Sequence, residues 1–471
     1  MASPPNTSSN TSSNTPSNTL TPPAISAAAI KHKRFGAAFG PRFFLLLAIG
    51  LLWLGPAAIH PIFLFGMFAW DLLIFAAWWI EFSSLPHPSL ITARRTWNAP
   101  AVLSTPAEIT LELKNRSVRA LRADLTDNVP VTLRKELPAL QMTVPGGGAA
   151  SAAYSILPMK RGDVDMGILY MRYGGLFRLA ERWAAVEISQ KVRVYPNLEA
   201  ARRSIYMIRS RRLTQAQRQS RGRGQGREFE SLREYRQGDE FRSICWSASA
   251  RRSKLITRQF QTERSQSVWL VLDAGRLMRA KISGLSKLDY AAAAALSLAE
   301  AALASGDRVG LMSYGRAVSQ RLLPNRGGLH LRMIMDGLAR VEEEQAESNP
   351  LRAATLLLST QSRRGLVVWI TDLAETAVTP EVLDAARLLL KRHVVVLLVI
   401  GQPDLKDLAS RNPDSIPTLY LTAAAQETAH RREILLASLR RNGALAIETD
   451  HAGAAAAAVN SYLEVKERNL I

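Results

Sequence analysis

The chain has a single cysteine, Cys245, among its 471 residues. An internal disulfide is therefore excluded, and nothing in the sequence speaks of adaptation to an oxidising compartment. Histidine is sparse and scattered. His32, His60, His87, His330, His393, His430 and His451 include no pair at metal-ligand spacing. No Gly-x-Ser-x-Gly elbow and no phosphate loop ending in Gly-Lys-Ser/Thr occurs. These absences leave no signature of a zinc enzyme, a serine hydrolase or a P-loop nucleotidase. Charge is missing altogether from residues 1–29, which are Ser, Thr, Asn, Pro and Ala with few apolar residues. Such a segment buries too little surface to offset the entropy of ordering, so residues 1–42 are predicted to be a disordered polar tail with a basic flank.

Acid is also short relative to base. Lys and Arg number 60 against 40 Asp and Glu, a formal net charge of +20. Nucleic acid, anionic lipid or an acidic protein are the partners such a balance suggests. The excess concentrates between Arg202 and Arg264, and the arginine-rich stretch 198–226 reads as a linker. Its Arg221-Gly-Arg-Gly-Gln-Gly-Arg227 run is similar to an RNA-binding tract but has no aromatics to stack on bases.

Two apolar runs, Phe43–Ile59 and Ile62–Ile80, follow the tail. A bilayer crossing needs about 20 residues, with about 17 as the lower bound. Basic residues precede the first run (Lys31, Lys33, Arg34, Arg42) and follow the second (Arg94, Arg95), with none between. Residues 43–80 are thus predicted to be a transmembrane helical hairpin with both ends cytoplasmic. Asp71 lies within the second run, where a charge costs about 2.5–3.5 kcal/mol on insertion scales. It reads as a polar residue facing the first helix or a thinned bilayer, or as a contact to a partner helix.

Residues 90–197 alternate with period two. Ile109, Leu111 and Leu113 point one way, Thr110, Glu112 and Lys114 the other. Short strands with turn signals such as Pro145-Gly-Gly-Gly148 predict a small β-sandwich. From residue 267 to 471, strands and helices alternate. Continuous apolar strands such as Val394–Ile400 predict a doubly wound α/β domain with a parallel sheet.

In such sheets ligands bind beyond the carboxyl ends of the strands. Asp273 and Asp372 are placed there, and a pair of acids at that position could hold Mg²⁺ through carboxylate and hydroxyl oxygens. This pattern resembles the von Willebrand A domain, whose metal site carries Asp-x-Ser-x-Ser after the first strand, a later Thr and a final Asp. Here Asp273-Ala274-Gly275-Arg276-Leu277 lacks both serines, and Leu329 of Gly327-Gly328-Leu329 stands in place of the Thr. Asp273 and Asp372 are then remnants of a degenerate metal site. No bound metal and no cofactor are predicted, and Arg276 or a nearby backbone amide is expected to neutralise the acids.

The segment 227–266 mixes paired charge with aromatic anchors. Gly226-Arg227-Glu228-Phe229, Ser231-Leu232-Arg233-Glu234-Tyr235, Gly238-Asp239, Arg242, Ile244, Trp246 and Ser249-Ala250-Arg251 resemble the signature of the domain-of-unknown-function family fifty-eight. Lys160-Arg161-Gly162, Gly174-Gly175-Leu176-Phe177 and Val194-Tyr195-Pro196 are similar to the same family. The resemblance extends over residues 43 to 471. It implies a bacterial inner-membrane protein with its soluble domains in the cytoplasm, and a von Willebrand A-like α/β fold. The implied partner is a MoxR-type AAA+ ATPase, with other von Willebrand A-like proteins as a further partner class. The expected role is a non-enzymatic adaptor or co-chaperone. Arg233, Glu234, Tyr235, Gly238, Asp239, Arg242, Trp246 and Arg251 are the signature and partner-binding residues. Trp246 is expected to be buried against the first α/β strand, beside a paired network of Arg233, Glu234, Asp239 and Arg242. The alternative is a nucleic-acid or anionic-surface binder using the arginine-rich segment. It is disfavoured because those arginines have acidic neighbours to pair with.

Overall fold

The structure, a computed structural model, describes residues 21–31, 36–175, 177–197, 228–235, 241, 244–261, 265–373 and 379–471. The chain divides into two compact units.

The first unit holds the apolar helices and an antiparallel sheet. Helical segments run from Pro41 to Ala57 and from Ile62 to Ser84. Only the second, extended to Leu90, is long and apolar enough to cross a membrane. Trp70 Nε1 donates to Leu46 O at 2.9 Å, tying the two helices together. Asp71 faces the first helix at Gly50, where an added Cβ would come within 3.0 Å of its Oδ1.

In place of the sandwich expected over residues 90–197 stands one large, nearly closed antiparallel sheet, with Gly162–Met166 and Gln190–Val194 pairing apart from it as a two-stranded sheet. The strand order of the large sheet is 139–144, 121–127, 169–174, 180–186, 25–31, 91–97, 107–115 and 149–156. The difference comes from strand Ile25–Lys31, which lies where a disordered tail was expected. Residues 25–28 pair with 92–95 on one side, and residues 29–31 pair with 184–186 on the other. One strand thus stitches two half-sheets together. Arg95, counted above as basic flank, is fully buried instead. Its Nε donates to Asp127 Oδ2 at 3.0 Å, and Tyr154 Oη donates to the same carboxylate.

The second unit contains the α/β domain. Its elements, numbered within the unit, are β1 (Ser267–Asp273), α1 (Lys287–Ala304), β2 (Arg308–Tyr314), β3 (Val318–Asn325), α2 (Gly328–Arg340), α3 (Pro350–Thr360), β4 (Leu366–Thr371), α4 (Thr379–Leu390), β5 (Val394–Ile400), α5 (Pro403–Ser410), α6 (Ile416–Arg441), β6 (Leu445–Thr449) and α7 (Ala454–Glu467). The sheet order is β3-β2-β1-β4-β5-β6, parallel except for β3. The pleat of β1 sends Val268, Leu270 and Leu272 into a core shared with α1, α2 and α7. Trp269 and Val271 enter the opposite core, shared with α3, α4 and α6. Every residue of β1 is buried, which explains its unbroken apolar run. Strand β3 is invisible to an apolar-run search because it alternates half-buried and exposed residues and contains Pro324. Its place at the sheet edge tolerates both features.

Candidate functional site

The site lies at the carboxyl ends of β1 and β4, where Asp273 and Asp372 end or follow central strands. Both are buried. Asp273 is held by three neutral donors. Gly275 N bonds Oδ1 at 2.9 Å, while Thr371 Oγ1 and Ser348 Oγ bond Oδ2 at 2.7 and 3.1 Å. Burial, its largest influence, pushes the Asp273 carboxyl above the usual range, against the pull of these bonds.

Asp372 is held by cations. Lys287 Nζ lies 2.5 Å from Oδ2, and Arg432 Nη2 lies 2.6 Å from Oδ1. Leu373 N also donates to Oδ1 at 2.7 Å. Arg432 reaches Glu448 as well, at 3.5 Å. Lys287 is the first residue of α1 and is fully buried. A cation there opposes the helix dipole, so its placement requires the carboxylate opposite.

These neutralisers correct the sequence reading. The backbone amide of Gly275 does bond Asp273, but Arg276 pairs with Glu347 at the surface, 3.6 Å away. The hydroxyl that reaches Asp273 from a later loop is Ser348. Leu329, which the sequence places where that hydroxyl residue would stand, is 71% exposed. Gly275 is required here by close approach, since an added Cβ would meet Ser348 at 2.8 Å.

The residues present do not fit a divalent ion. Such an ion needs several free oxygens in near-regular geometry. Both Asp372 oxygens face built-in cations, and both Asp273 oxygens accept protein hydrogen bonds. Around Asp372 the end of β4 and the helices α1 and α6 are held together by charge.

The signature segment forms a separate hairpin. Strand Glu228–Glu234 pairs with Ile256–Gln261, so the Arg233 backbone lies opposite Thr257. Glu234 is exposed and pairs with Lys254 at 2.9 Å, a hydrogen bond that lowers its pKa. Tyr235 N donates to Leu255 O at 2.8 Å, and its ring lies 6.1 Å from that of Phe241. Arg251 is exposed on helix Trp246–Arg252. Gly238, Asp239, Arg242 and the Arg233 side chain, and with them the expected charge network, lie outside the described residues, as does the arginine-rich linker. Trp246 is 66% exposed rather than buried. Helical phase is the cause. Cys245 and Ser249, four residues apart, face inward: Cys245 N donates to Ile256 O at 2.8 Å, and Ser249 Oγ accepts from Ile256 N at 2.9 Å. Trp246 is turned away from them.

Two further motifs have structural uses that the sequence did not disclose. Arg161 is buried, with Nη2 donating to Val341 O at 3.1 Å and standing 3.6 Å from Asp289. Tyr195 Oη donates to Asp336 at 3.2 Å.

A parallel sheet of order 3-2-1-4-5-6 with an antiparallel edge strand, and buried acids beyond its two central strands, defines a von Willebrand A-like domain. Residues 231–412 match the family described as "Protein of unknown function DUF58". The chain is 26% identical over 190 residues to the uncharacterized protein YeaD of Bacillus subtilis (strain 168), covering 40% of this chain and 44% of that protein. It is 27% identical over 151 residues to the uncharacterized protein Rv1480 of Mycobacterium tuberculosis (strain ATCC 25618 / H37Rv), covering 32% and 48%. The chain thus spans less than half the length of these relatives. Among solved structures, the conserved hypothetical protein BatB from Bacteroides thetaiotaomicron aligns at 15% identity with a TM-score of 0.30, covering 43% of this chain and all of that one. The SpRpn10 VWA domain aligns at 10% identity with a TM-score of 0.25, covering 40% and 88%.

Proposed function

We propose that this protein is a membrane-tethered, non-enzymatic adaptor that offers a von Willebrand A-like unit to a MoxR-type AAA+ ATPase, the partner implied by the signature residues. One contrast carries the reading. The strand-end site is closed by the chain's own cations on Asp372, whereas Phe241 and Trp246 of the signature segment stand 75% and 66% exposed. Large exposed aromatics are the residues that anchor protein interfaces.

Tethering is argued from the first unit. Strand Ile25–Lys31 precedes both apolar helices and pairs with Ile91–Trp97, which follows them. The chain therefore enters and leaves the apolar segment beside one sheet. If Ile62–Ser84 crosses the bilayer, Pro41–Ala57 must cross back. At 1.5 Å per residue these helices are about 35 and 25 Å long, against a hydrocarbon core of about 30 Å. The absence of basic residues from the intervening turn favours a cytoplasmic location for both soluble units in a bacterial cell.

The test is capture from detergent-solubilised membranes by the full chain, with co-purifying proteins identified by mass spectrometry. A MoxR-type AAA+ ATPase held by the parent and lost from Trp246→Ala supports the reading. A parent that retains no AAA+ protein contradicts it. Reporter fusions at the amino terminus and after Ser89 should both report cytoplasm, and a periplasmic signal from either sinks the hairpin topology.

A further inference from the structure

The two glycines of Gly174-Gly175 do different work. Gly175 admits the carboxylate of Glu81, at the end of the long apolar helix, and an added Cβ would meet Glu81 Oε1 at 2.6 Å. Gly174 instead leaves its place in the cross-strand row without a side chain, where an added Cβ would meet Ala180 O at 3.1 Å and Glu181 Cγ at 3.6 Å. It pairs with Arg122 on one side and Glu181 on the other, so the cross-strand row Arg122–Gly174–Glu181 has a gap at its centre. In the neighbouring row Arg172 pairs with Asp124. Beside it lies a pit of about 190 Å³ whose lining includes Arg122, Asp124, Gln141, Arg172, Arg178 and Glu181, together with Pro41. A water molecule in the liquid takes about 30 Å³, so the pit has room for a phosphate group and its solvent.

The charge of the pit is unbalanced. Arg172 engages both acids, Asp124 at 3.1 Å and Glu181 at 3.5 Å. The Arg122 and Arg178 side chains make no hydrogen bond or ion pair with a described residue. Arg122 thus lines the pit with no carboxylate of its own, and Arg178 interacts with Glu181 only through the electrostatic field, without a hydrogen bond or ion pair; a planar fork of donors is the group best matched to phosphate oxygens. Pro41 is the first residue of the apolar helices, so the pit adjoins the point where those helices begin. Phe39 and Phe177, both exposed, lie nearby on the chain, as expected of side chains that meet acyl chains.

We propose that this pit binds the phosphate group of an anionic phospholipid headgroup, with Arg122 and Arg178 as its donors. The proposal rests on the membrane reading of residues 41–84. Extraction of the protein without detergent would end that reading. The experiment below addresses the site alone.

Full-length protein in neutral detergent is titrated with dioctanoyl-phosphatidylglycerol, and bound lipid is counted by native mass spectrometry, with and without inorganic phosphate as competitor. One lipid per chain should be held in preference to the rest. The Arg122→Gln/Arg178→Gln double variant should hold it about tenfold or more weakly, because two charge-assisted contacts are lost. Arg116→Gln, an exposed change outside the pit, should leave retention as in the parent. Gly174→Ala, which keeps every charge and adds a methyl group that meets Ala180 O at 3.1 Å and Glu181 Cγ at 3.6 Å, should also weaken retention, and it decides the matter if the double variant does not fold. Parental retention in the double variant, or in Gly174→Ala when the double variant is unfolded, overturns the site. Displacement of the lipid by an equal concentration of inorganic phosphate overturns the headgroup as the source.

Discussion

Lys287 Nζ lies 2.5 Å from Asp372 Oδ2, and both side chains are sealed from solvent. A lysine at the first position of a helix opposes the helix dipole, and a buried ammonium without a partner is costlier still. The pair therefore exists as a unit, completed by Arg432 on the second carboxylate oxygen. It joins the start of α1, the end of β4 and the interior of α6, three elements distant in sequence.

Asp372→Asn leaves Lys287 and Arg432 facing a neutral amide. Breaking a buried pair in this way costs about 3–5 kcal/mol. Asp273→Asn should behave oppositely. Burial raises the Asp273 pKa, so the folded state favours its neutral form. The stabilisation from that preference is complete below the unfolded value of about 3.9 and is lost as pH rises through the folded one. At neutral pH the isosteric amide should then melt at or above the parent. Thermal melts of both variants decide the point, and equal losses would show that the two acids are not differently held.

Glu81 accepts backbone N–H bonds from Phe177, Leu179 and Ala180 at 2.8, 2.7 and 3.0 Å, latching the 174–180 turn to the end of the apolar helix. Glu81→Ala orphans three donors, each at about 1–3 kcal/mol if it stays buried. Hydrogen exchange at these amides should accelerate relative to strand 107–115. Unchanged protection would mean that the latch is dispensable.

Trp246→Ala removes an exposed side chain. Its effect on stability should stay within about 0.5 kcal/mol of the parent, as for most surface changes. Its effect on partner capture should be large, since interface tryptophans are frequent hot spots. A variant that melts early while still retaining the ATPase would reverse this assignment.

His393 is buried at the start of β5, and neither ring nitrogen bonds a described residue. Burial, with Arg392 adding to it, depresses its pKa. Its contribution to stability is complete above the unfolded value of about 6.5 and is lost as pH falls from there through the folded value. His393→Leu should flatten the melting temperature between pH 7 and 5, and a parallel decline in parent and variant would remove His393 as the cause.

The sequence made the α/β unit legible because its strands are uniform apolar runs closed by acids. The acids' partners were not legible. With 60 basic residues in the chain, no spacing rule singles out Lys287 and Arg432 for Asp372, since the contact depends on how α1 and α6 pack. Strand Ile25–Lys31 was hidden because Ser-Ala-Ala-Ala has little strand preference of its own and is held by neighbours on both sides. Trp246 was misread by one residue of helical phase, where Cys245 and Ser249 carry the inward face. Arg95 passed for a flanking charge because nothing in a sequence marks an arginine that meets its aspartate 32 residues later.

Lys287 and Arg432 place on Asp372 the positive charge that a metal ion supplies in a complete von Willebrand A site. Calorimetric titration of the full chain in detergent with Mg²⁺ tests this most directly. No saturable heat is expected at micromolar to low-millimolar ion. A one-to-one micromolar site that disappears in Asp273→Ala would contradict it.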